Sequence, residues 1–147
     1  IQVRALEEQL QLAVDYNLPV SFHVRNAFDD FWPIFANFHS LRGVLHSFTD
    51  NQANLEKGLS EGLYIGVNGI STFTKDDSQR QLFDTIPLEK MLLETDAPFL
   101  TPTPHRGKVN EPAFVRNVAE YHANRRGVEL EHLARVTSTN ASQLFSI

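Results

Sequence analysis

The amino-acid sequence predicts an α/β fold, in which a parallel β-sheet is covered by helices. Short apolar runs typical of buried strands alternate with longer segments whose apolar residues recur at helical spacing. The chain has 147 residues, 41% of them hydrophobic, which is enough for one domain with a substantial core. No low-complexity segment or linker divides the sequence, so residues 1–147 are expected to form a single domain.

Four runs have the length and composition of strands, and they cover residues 20–24, 43–48, 63–67 and 91–94. The segments around them have the apolar spacing or capping residues of helices, and they cover residues 1–16, about 30–38, 50–62, a short stretch opening at Asp76 or Asp77, 112–126 and about 130–145. This repetition of strand and helix is typical of parallel βα units.

Local signals refine three of these helices. Pro33 is compatible with the second helix only in its first turn, because proline removes a hydrogen bond from a helix interior. Asp50 is expected to cap the third helix, and Gly62 to end it. The polar residues 137–140 suggest a break in the last helix.

Composition excludes several classes of protein. Charged residues form 21% of the chain and the net charge is −5, which excludes a disordered chain and a basic nucleic-acid tail. A phosphodiester substrate stays compatible with this charge if local basic groups or bound cations meet the phosphates. The absence of cysteine excludes disulfides and thiolate chemistry and fits a cytoplasmic location. We expect no membrane contact, since the sequence has no long apolar span and no signal-peptide pattern.

Three of the predicted strands end on a side chain that can bind a metal ion, namely His23, His46 and Asp96. Active sites of parallel βα folds collect at the carboxyl ends of strands, where side chains distant in sequence meet. Imidazole nitrogen and carboxylate oxygen together suit a zinc-like or manganese-like divalent cation. Such a cation would supply hydroxide near neutral pH, and a further carboxylate could orient the water or take its proton.

Each of these residues also has a structural interpretation. A single histidine at a strand end is more often a core or surface residue than a ligand. Asp96 could cap the turn that follows it or pair with Arg106. The metal interpretation is favoured because all three side chains are expected at the same end of one sheet.

Basic residues lie near the predicted site. Arg25 follows His23 by two positions and could reach the rim of the site, while Arg106 and Lys108 lie in the loop after Asp96. Without further context, these side chains would be interpreted as solvated cations.

The other histidines and the aromatic cluster are expected to be structural or solvated. His105 is expected to be exposed in its loop, and the histidines on helices or at their ends are expected at the surface; these are His39, His122 and His132. The aromatic residues of the second helix are expected to pack on the sheet rather than to stack on bases; these are Phe28, Phe31, Trp32, Phe35 and Phe38.

Five stretches of the sequence resemble the TatD family: LPVSFHVR, RGVLHSFT, GLYIGVNG, LLETDAPFLTPTPHRGKVNEP and TSTNASQLF. The members of this family are metal-dependent deoxyribonucleases and exonucleases within the amidohydrolase superfamily of (β/α)8 barrels. The resemblance extends over essentially the whole chain, and the stretch from ETDAP to NEP is its most specific part. It implies a TIM-barrel type of fold and DNA as the substrate.

The resemblance also implies a role for each candidate residue. His23 and His46 would be ligands on the fifth and sixth barrel strands. Asp96, on the eighth strand, would be a ligand that also positions or deprotonates the attacking water. Two divalent ions would place a hydroxide in line with the phosphodiester and stabilise the charge on its oxygens. The candidates for phosphate or nucleotide contact are Arg25, Arg106, Lys108 and Asn110.

Part of the family pattern has no counterpart in this chain. The His-x-His pair of the first barrel strand and the bridging Glu of the fourth are absent from these residues. A complete barrel typically needs ~250 residues. We therefore expect the C-terminal half of a barrel, with about four parallel strands and flanking helices. The open edges of a half barrel are expected to require a missing N-terminal half or self-association.

Divalent-metal-dependent hydrolysis of DNA phosphodiester bonds is the leading hypothesis for the function. One alternative is hydrolysis of a small-molecule ester or amide, as elsewhere in the same superfamily. Another is a non-catalytic fragment, since the chain carries only three of the expected metal ligands.

Overall fold

The computed structural model describes residues 1–147 and contains one sheet of four parallel strands. The strands are β1 (Pro19–Phe22), β2 (Arg42–Leu45), β3 (Tyr64–Val67) and β4 (Met91–Leu93). Their order in the sheet is β1-β2-β3-β4, so each strand pairs with its neighbour along the chain. The predicted α/β fold is confirmed. Both outer edges of the sheet, those of β1 and β4, lack a strand partner.

Seven helices accompany the sheet: α1 (Gln2–Asp15), α2 (Phe28–Phe35), α3 (Gln52–Ser60), α4 (Ile70–Phe73), α5 (Asp77–Thr85), α6 (Val115–Arg126) and α7 (Leu130–Phe145). Single 3-10 turns, Leu88–Lys90 and Pro112–Phe114, precede β4 and α6. The short helix α4 was not expected from the sequence. None of the helices has the length and apolar character needed to cross a bilayer.

The main core lies between the sheet and the helices that cover one of its faces. Strand residues alternate between the two faces, and Phe22, Leu45 and Ile65 belong to a cluster of 16 buried residues on the helix-covered side. On the opposite face, Val44 and Leu92 pack against Leu144 of α7.

Pro33 lies at the sixth position of α2, so the expectation that it sits in the first turn was wrong. The helix begins early because Phe28, Phe31 and Phe35 share one buried face. The carbonyl that loses its hydrogen bond belongs to exposed Asp29, where water can replace the missing donor.

The caps of the next helices agree with the sequence except at one position. Asn51 rather than Asp50 caps α3, through a bond from the Asn54 N–H to its side chain. Gly62 ends that helix at φ 82°, as expected, and Asp76, one of the two expected positions, caps α5.

The expected break in α7 is absent, because its polar residues find partners without leaving the helix. The Thr137 hydroxyl donates to the carbonyl of Leu133 at 3.0 Å. The Asn140 side chain donates to the carbonyls of Leu88 and Met91, at 2.9 and 2.8 Å. These last two bonds attach α7 to the beginning of β4.

Candidate metal centre

The structure places the predicted ligands at the carboxyl end of the sheet. His23 immediately follows β1, His46 immediately follows β2, and Asp96 lies three residues beyond β4. The His46 N–H donates to the carbonyl of Phe22 at 2.9 Å, which holds the ends of β1 and β2 together.

His46 and Asp96 are in direct contact. The His46 Nε2 atom lies 3.2 Å from Asp96 Oδ1. Two donors that share one divalent ion at about 2.0–2.2 Å each would lie at a comparable separation. Asp96 has φ 61°, a left-handed conformation that aspartate adopts more readily than most residues, and this turns its carboxylate away from the strand direction. These two side chains fit as ligands of the same ion.

His23 is close to the pair but does not complete a three-residue site. Its ring centroid lies 5.7 Å from that of His46, and its side chain is exposed on the edge strand. No three His, Cys, Asp or Glu side chains in the structure are grouped closely enough to hold one ion. Since catalytic zinc sites use three protein ligands, the donor set within this chain is incomplete as arranged.

Glu94 is a further residue of the site that the sequence analysis did not select. Its carboxylate accepts a hydrogen bond from His46 Nδ1 at 2.8 Å, and its other oxygen accepts one from the Ser47 N–H. A carboxylate on the second ring nitrogen fixes the orientation of a metal-binding histidine and increases its basicity. The sequence did contain a signal for Glu94. Side chains alternate along an extended chain, so Glu94 and Asp96 are expected on the same side.

A glycine on the neighbouring strand makes room for Glu94. A Cβ atom at Gly66 of β3 would lie 2.6 Å from one Glu94 carboxylate oxygen and 2.8 Å from the other. Only a residue without a side chain therefore leaves the path from β4 to His46 open.

Electrostatics in the site favour a protonated His46. Its hydrogen bond to Glu94 raises the pKa of His46 above the ordinary value, and this outweighs the opposing effect of burial. The charges of Glu94 and Asp96 act in the same direction. Both ring nitrogens lie against carboxylates, so a cation that binds Nε2 would compete with a proton at that atom.

The loop after Asp96 is held by Asn110, which is only 3% exposed. Its side-chain nitrogen donates to the carbonyls of Thr95 and Phe99, at 2.8 and 2.6 Å. Its side-chain oxygen accepts from the Glu111 N–H at 2.9 Å. The structure therefore gives Asn110 a role in shaping the loop, and substrate contact by this residue stays a prediction.

The predicted basic residues have different environments. Arg106 donates to the carbonyl of Thr101 at 2.8 Å, and its guanidinium lies 3.7 Å from the ring centroid of Phe73. It does not pair with Asp96, which was one interpretation of the sequence. Arg25 and Lys108 are exposed and form no ion pair.

Two histidines differ from their expected environment. His122 is fully buried rather than at the surface, and its Nε2 atom lies 2.8 Å from the Ser71 hydroxyl. Because that hydroxyl donates to the carbonyl of Asn68, we assign the proton to His122 Nε2. Its Nδ1 atom has no partner. His105 is half-buried and stacks on Phe114 with ring centroids 4.3 Å apart, rather than being exposed.

Comparison with known proteins identifies the family of the chain. The family described as TatD related DNase matches residues 1–146. The uncharacterized metal-dependent hydrolase YcfH of Escherichia coli strain K12 is 41% identical over 148 residues, which cover 99% of this chain and 56% of the relative. The 3'-5' ssDNA/RNA exonuclease TatD of Erwinia amylovora is 40% identical over 153 residues, which cover 99% and 59%.

Solved structures agree with the fold. A crystal structure of the TatD homologue YjjV from Escherichia coli K12 superposes with a TM-score of 0.87 at 29% identity, over 97% of this chain and 55% of that one. An uncharacterized amidohydrolase from Saccharomyces cerevisiae, at 23% identity, superposes with a TM-score of 0.83 and supports the fold alone. The chain thus spans little more than half the length of these relatives. It belongs to the TatD-related DNase family.

Proposed function

We propose that this chain contributes part of a divalent-metal site that hydrolyses phosphodiester bonds of DNA. The observation that carries the proposal is the contact between His46 Nε2 and Asp96 Oδ1, with Glu94 bonded to the other nitrogen of His46. A metal-binding histidine oriented by a carboxylate is a recurrent arrangement of metal centres. The names of the relatives, which include a metal-dependent hydrolase and an exonuclease, support the same chemistry.

Each residue has a specific task in this proposal. A divalent ion, when bound, would lower the pKa of its water to near ~7 and supply hydroxide at neutral pH. His46 and Asp96 would hold the ion, and His23 would join them as a third ligand. Asp96 would also accept a hydrogen bond from the attacking water and keep it oriented toward the phosphorus. Arg25 and Lys108 would meet the charge of the phosphates.

The proposal includes two divalent ions at the complete site. Two ions would require ligands beyond those in this chain, as in the family pattern that the sequence resembles. The absence of any three-residue donor group favours one alternative, a chain that binds a metal weakly and is not catalytic by itself. Hydrolysis of a small-molecule ester or amide is the other alternative.

A cleavage assay separates these functions. The chain would be incubated with labelled single-stranded DNA and Mn²⁺ or Mg²⁺, with EDTA and the variant Asp96→Asn as controls. Asparagine also adopts the left-handed conformation of position 96, so the variant is expected to fold while losing most of the cleavage. Asp30→Asn, an exposed change on α2, is the matched control and is expected to cleave like the parent. Wild-type cleavage by Asp96→Asn would exclude the proposed role of Asp96.

If the parent chain does not cleave DNA, a comparison with a full-length relative and with other substrates identifies the reason. If a full-length relative cleaves DNA while this chain does not, the function requires the whole barrel. Cleavage of a carboxylic ester or an amide without cleavage of DNA would favour the small-molecule alternative.

We also propose that the open sheet edges are covered in the functional protein, by an N-terminal half or by a second copy of this chain. Strands β1 and β4 both end the sheet without a partner. Beside β4, a cavity of about 760 Å³ is lined largely by apolar side chains, including Leu93, Ala119 and Leu130. Light scattering coupled to size-exclusion chromatography tests the proposal, since a stable and soluble monomer would count against it.

A further inference from the structure

Phe99 is an exposed aromatic side chain on the turn that also carries Asp96. Its N–H donates to the carbonyl of Asp96 at 2.9 Å, which closes a four-residue turn next to the candidate metal centre. The side chain is 69% exposed. All other large hydrophobic residues of comparable exposure, apart from Val109, lie within the first 18 or the last three residues of the chain.

The backbone beneath this ring is held in place. Its carbonyl accepts from the buried Asn110 side chain at 2.6 Å, and the Asn110 N–H donates to the carbonyl of Pro98 at 3.1 Å. The next carbonyl, that of Leu100, lies only 1.9 Å from where a Cβ atom at Gly69 would be. Such close packing requires glycine at that position. The exposed ring of Phe99 is therefore presented by a fixed loop.

Other aromatic side chains of the protein are less available to a ligand at this end of the sheet. The rings of Phe28, Phe31 and Phe35 are buried against the sheet and pack edge-on with Phe22 or with one another. His105 is stacked on Phe114. Phe99 is the aromatic ring beside the site that keeps a large share of its surface in water.

We propose that Phe99 stacks on an unpaired nucleobase of the strand whose phosphodiester lies at His46 and Asp96. The inference rests on the proposed function and assigns Phe99 as a residue that contacts the substrate. A base within a duplex already has neighbours on both faces, whereas an unpaired base offers a free face to an aromatic side chain. Stacking of this kind tolerates any base, so the preference is for strandedness and not for sequence.

Charge around Phe99 agrees with this substrate. Lys108 is exposed and without an ion pair, and its carbonyl accepts from the Thr101 hydroxyl at 2.6 Å. The same loop therefore offers a cation for the phosphate backbone and an aromatic ring for a base, which is the usual combination in proteins that bind single strands.

Binding without cleavage tests the inference directly. Fluorescence anisotropy in EDTA would compare a labelled oligothymidine with an oligonucleotide of equal length whose central positions are abasic. Phe99→Ala is expected to bind oligothymidine about tenfold more weakly than the parent, and Phe99→Tyr is expected to bind like the parent. Leu12→Ala, which removes a 53% exposed apolar side chain from α1, is the matched control and is expected to change nothing.

The abasic oligonucleotide separates stacking from general loss of affinity. The parent and Phe99→Ala are expected to bind it equally, because the base that Phe99 contacts is missing. The inference would be overturned if the parent and Phe99→Ala bound oligothymidine with equal affinity. It would also be overturned if Phe99→Ala lost the same affinity for the abasic oligonucleotide as for oligothymidine. Absence of any binding by the parent would overturn it too. If Phe99→Ala bound both oligonucleotides like the parent but no longer bound an added N-terminal half of the barrel, the ring would belong to a protein interface instead.

Failure of the proposed hydrolysis gives a different result. If Phe99→Ala weakens binding of oligothymidine but Asp96→Asn does not change cleavage, the stacking role stands and the catalytic proposal fails.

Discussion

Glu94 reaches His46 from two strands away, by passing over Gly66. Glu94 follows β4 and His46 follows β2, while Gly66 belongs to the strand between them. The hydrogen bond between the carboxylate and His46 Nδ1 is 2.8 Å long. The orientation of His46 thus depends on residues of three neighbouring strands. One of them, Gly66, contributes only the space that its missing side chain leaves.

Glu94→Gln is expected to lower the affinity of the chain for Mn²⁺ by roughly 10- to 100-fold. Glu94 accepts from His46 Nδ1 and from the Ser47 N–H with different oxygens, and glutamine would place an NH2 donor at one of these two positions. Titration of Mn²⁺ followed by electron paramagnetic resonance would measure the change. Glu111→Gln, at an exposed position of the following loop, is the control. Equal affinity of the Glu94 variant and the parent would remove Glu94 from its positioning role.

Gly66→Ala is expected to displace the Glu94 carboxylate without unfolding the chain, because the atoms in the way belong to the end of a flexible side chain. The pKa of His46 should then fall toward its ordinary value, since its largest source of elevation is the bond to Glu94. NMR titration of the His46 ring would follow this change. In a Glu94→Ala background, the glycine substitution should have no further effect on that pKa. If the two substitutions shifted the pKa of His46 independently and additively, the proposal that Gly66 acts on His46 through Glu94 would be contradicted.

Affinity for a divalent cation should increase with pH through the pKa of His46. Below that pKa a proton occupies Nε2 and competes with the ion, so the affinity should fall by up to about tenfold for each unit of decreasing pH. Because the pKa of His46 is raised, this dependence begins at a higher pH than for an ordinary histidine. Calorimetric titrations with Mn²⁺ across pH would test it. His39→Gln, at an exposed histidine, should preserve the slope, and a flat profile in the parent would disprove the competition.

Acidification should destabilise the fold through His122. Burial lowers its pKa to about 4, whereas the unfolded chain has the ordinary value near 6.5. The unfolded state therefore binds the proton first, and the free energy of unfolding should fall as the pH decreases from about 6.5 to about 4. The total loss is up to about 3 kcal/mol.

A pair of variants isolates this contribution. His122→Gln can still donate to the Ser71 hydroxyl but cannot take up a proton. The difference in urea-unfolding free energy between the parent and this variant should depend on pH only in that window. His132→Gln, at an exposed position on α7, should follow the parent. A pH-independent difference for His122→Gln would refute the assignment.

Much of the fold could be predicted because its signals are local. Apolar runs located all four strands to within three residues, and residue type alone pointed to Gly62 and to Asp76 or Asp77 as helix boundaries. Two of the three predicted ligands, His46 and Asp96, meet because parallel strands end at the same edge of a sheet.

The features that escaped prediction depend on partners far along the chain. His122 lies on a helix with a polar sequence, and its burial involves partners far along the chain, namely the Ser71 hydroxyl, 51 positions away, and the ring of Phe83. The hydrogen bonds by which Asn110 shapes its loop were not foreseen, because their acceptors are the carbonyls of Thr95 and Phe99, 15 and 11 positions away. Glu94 was not predicted because Asp96, two residues later, already supplied the carboxylate expected at the metal site.

The order of the strands has a consequence for how the chain assembles. Each new strand pairs with the one synthesised just before it, so the sheet can grow by one βα unit at a time without closing a long loop. The last helix is different, because Arg42 of β2 donates to the carbonyl of Leu144, 102 residues later. Helix α7 can therefore reach back to β2 only after the intervening residues have been synthesised, and the sheet face that it covers stays open until then.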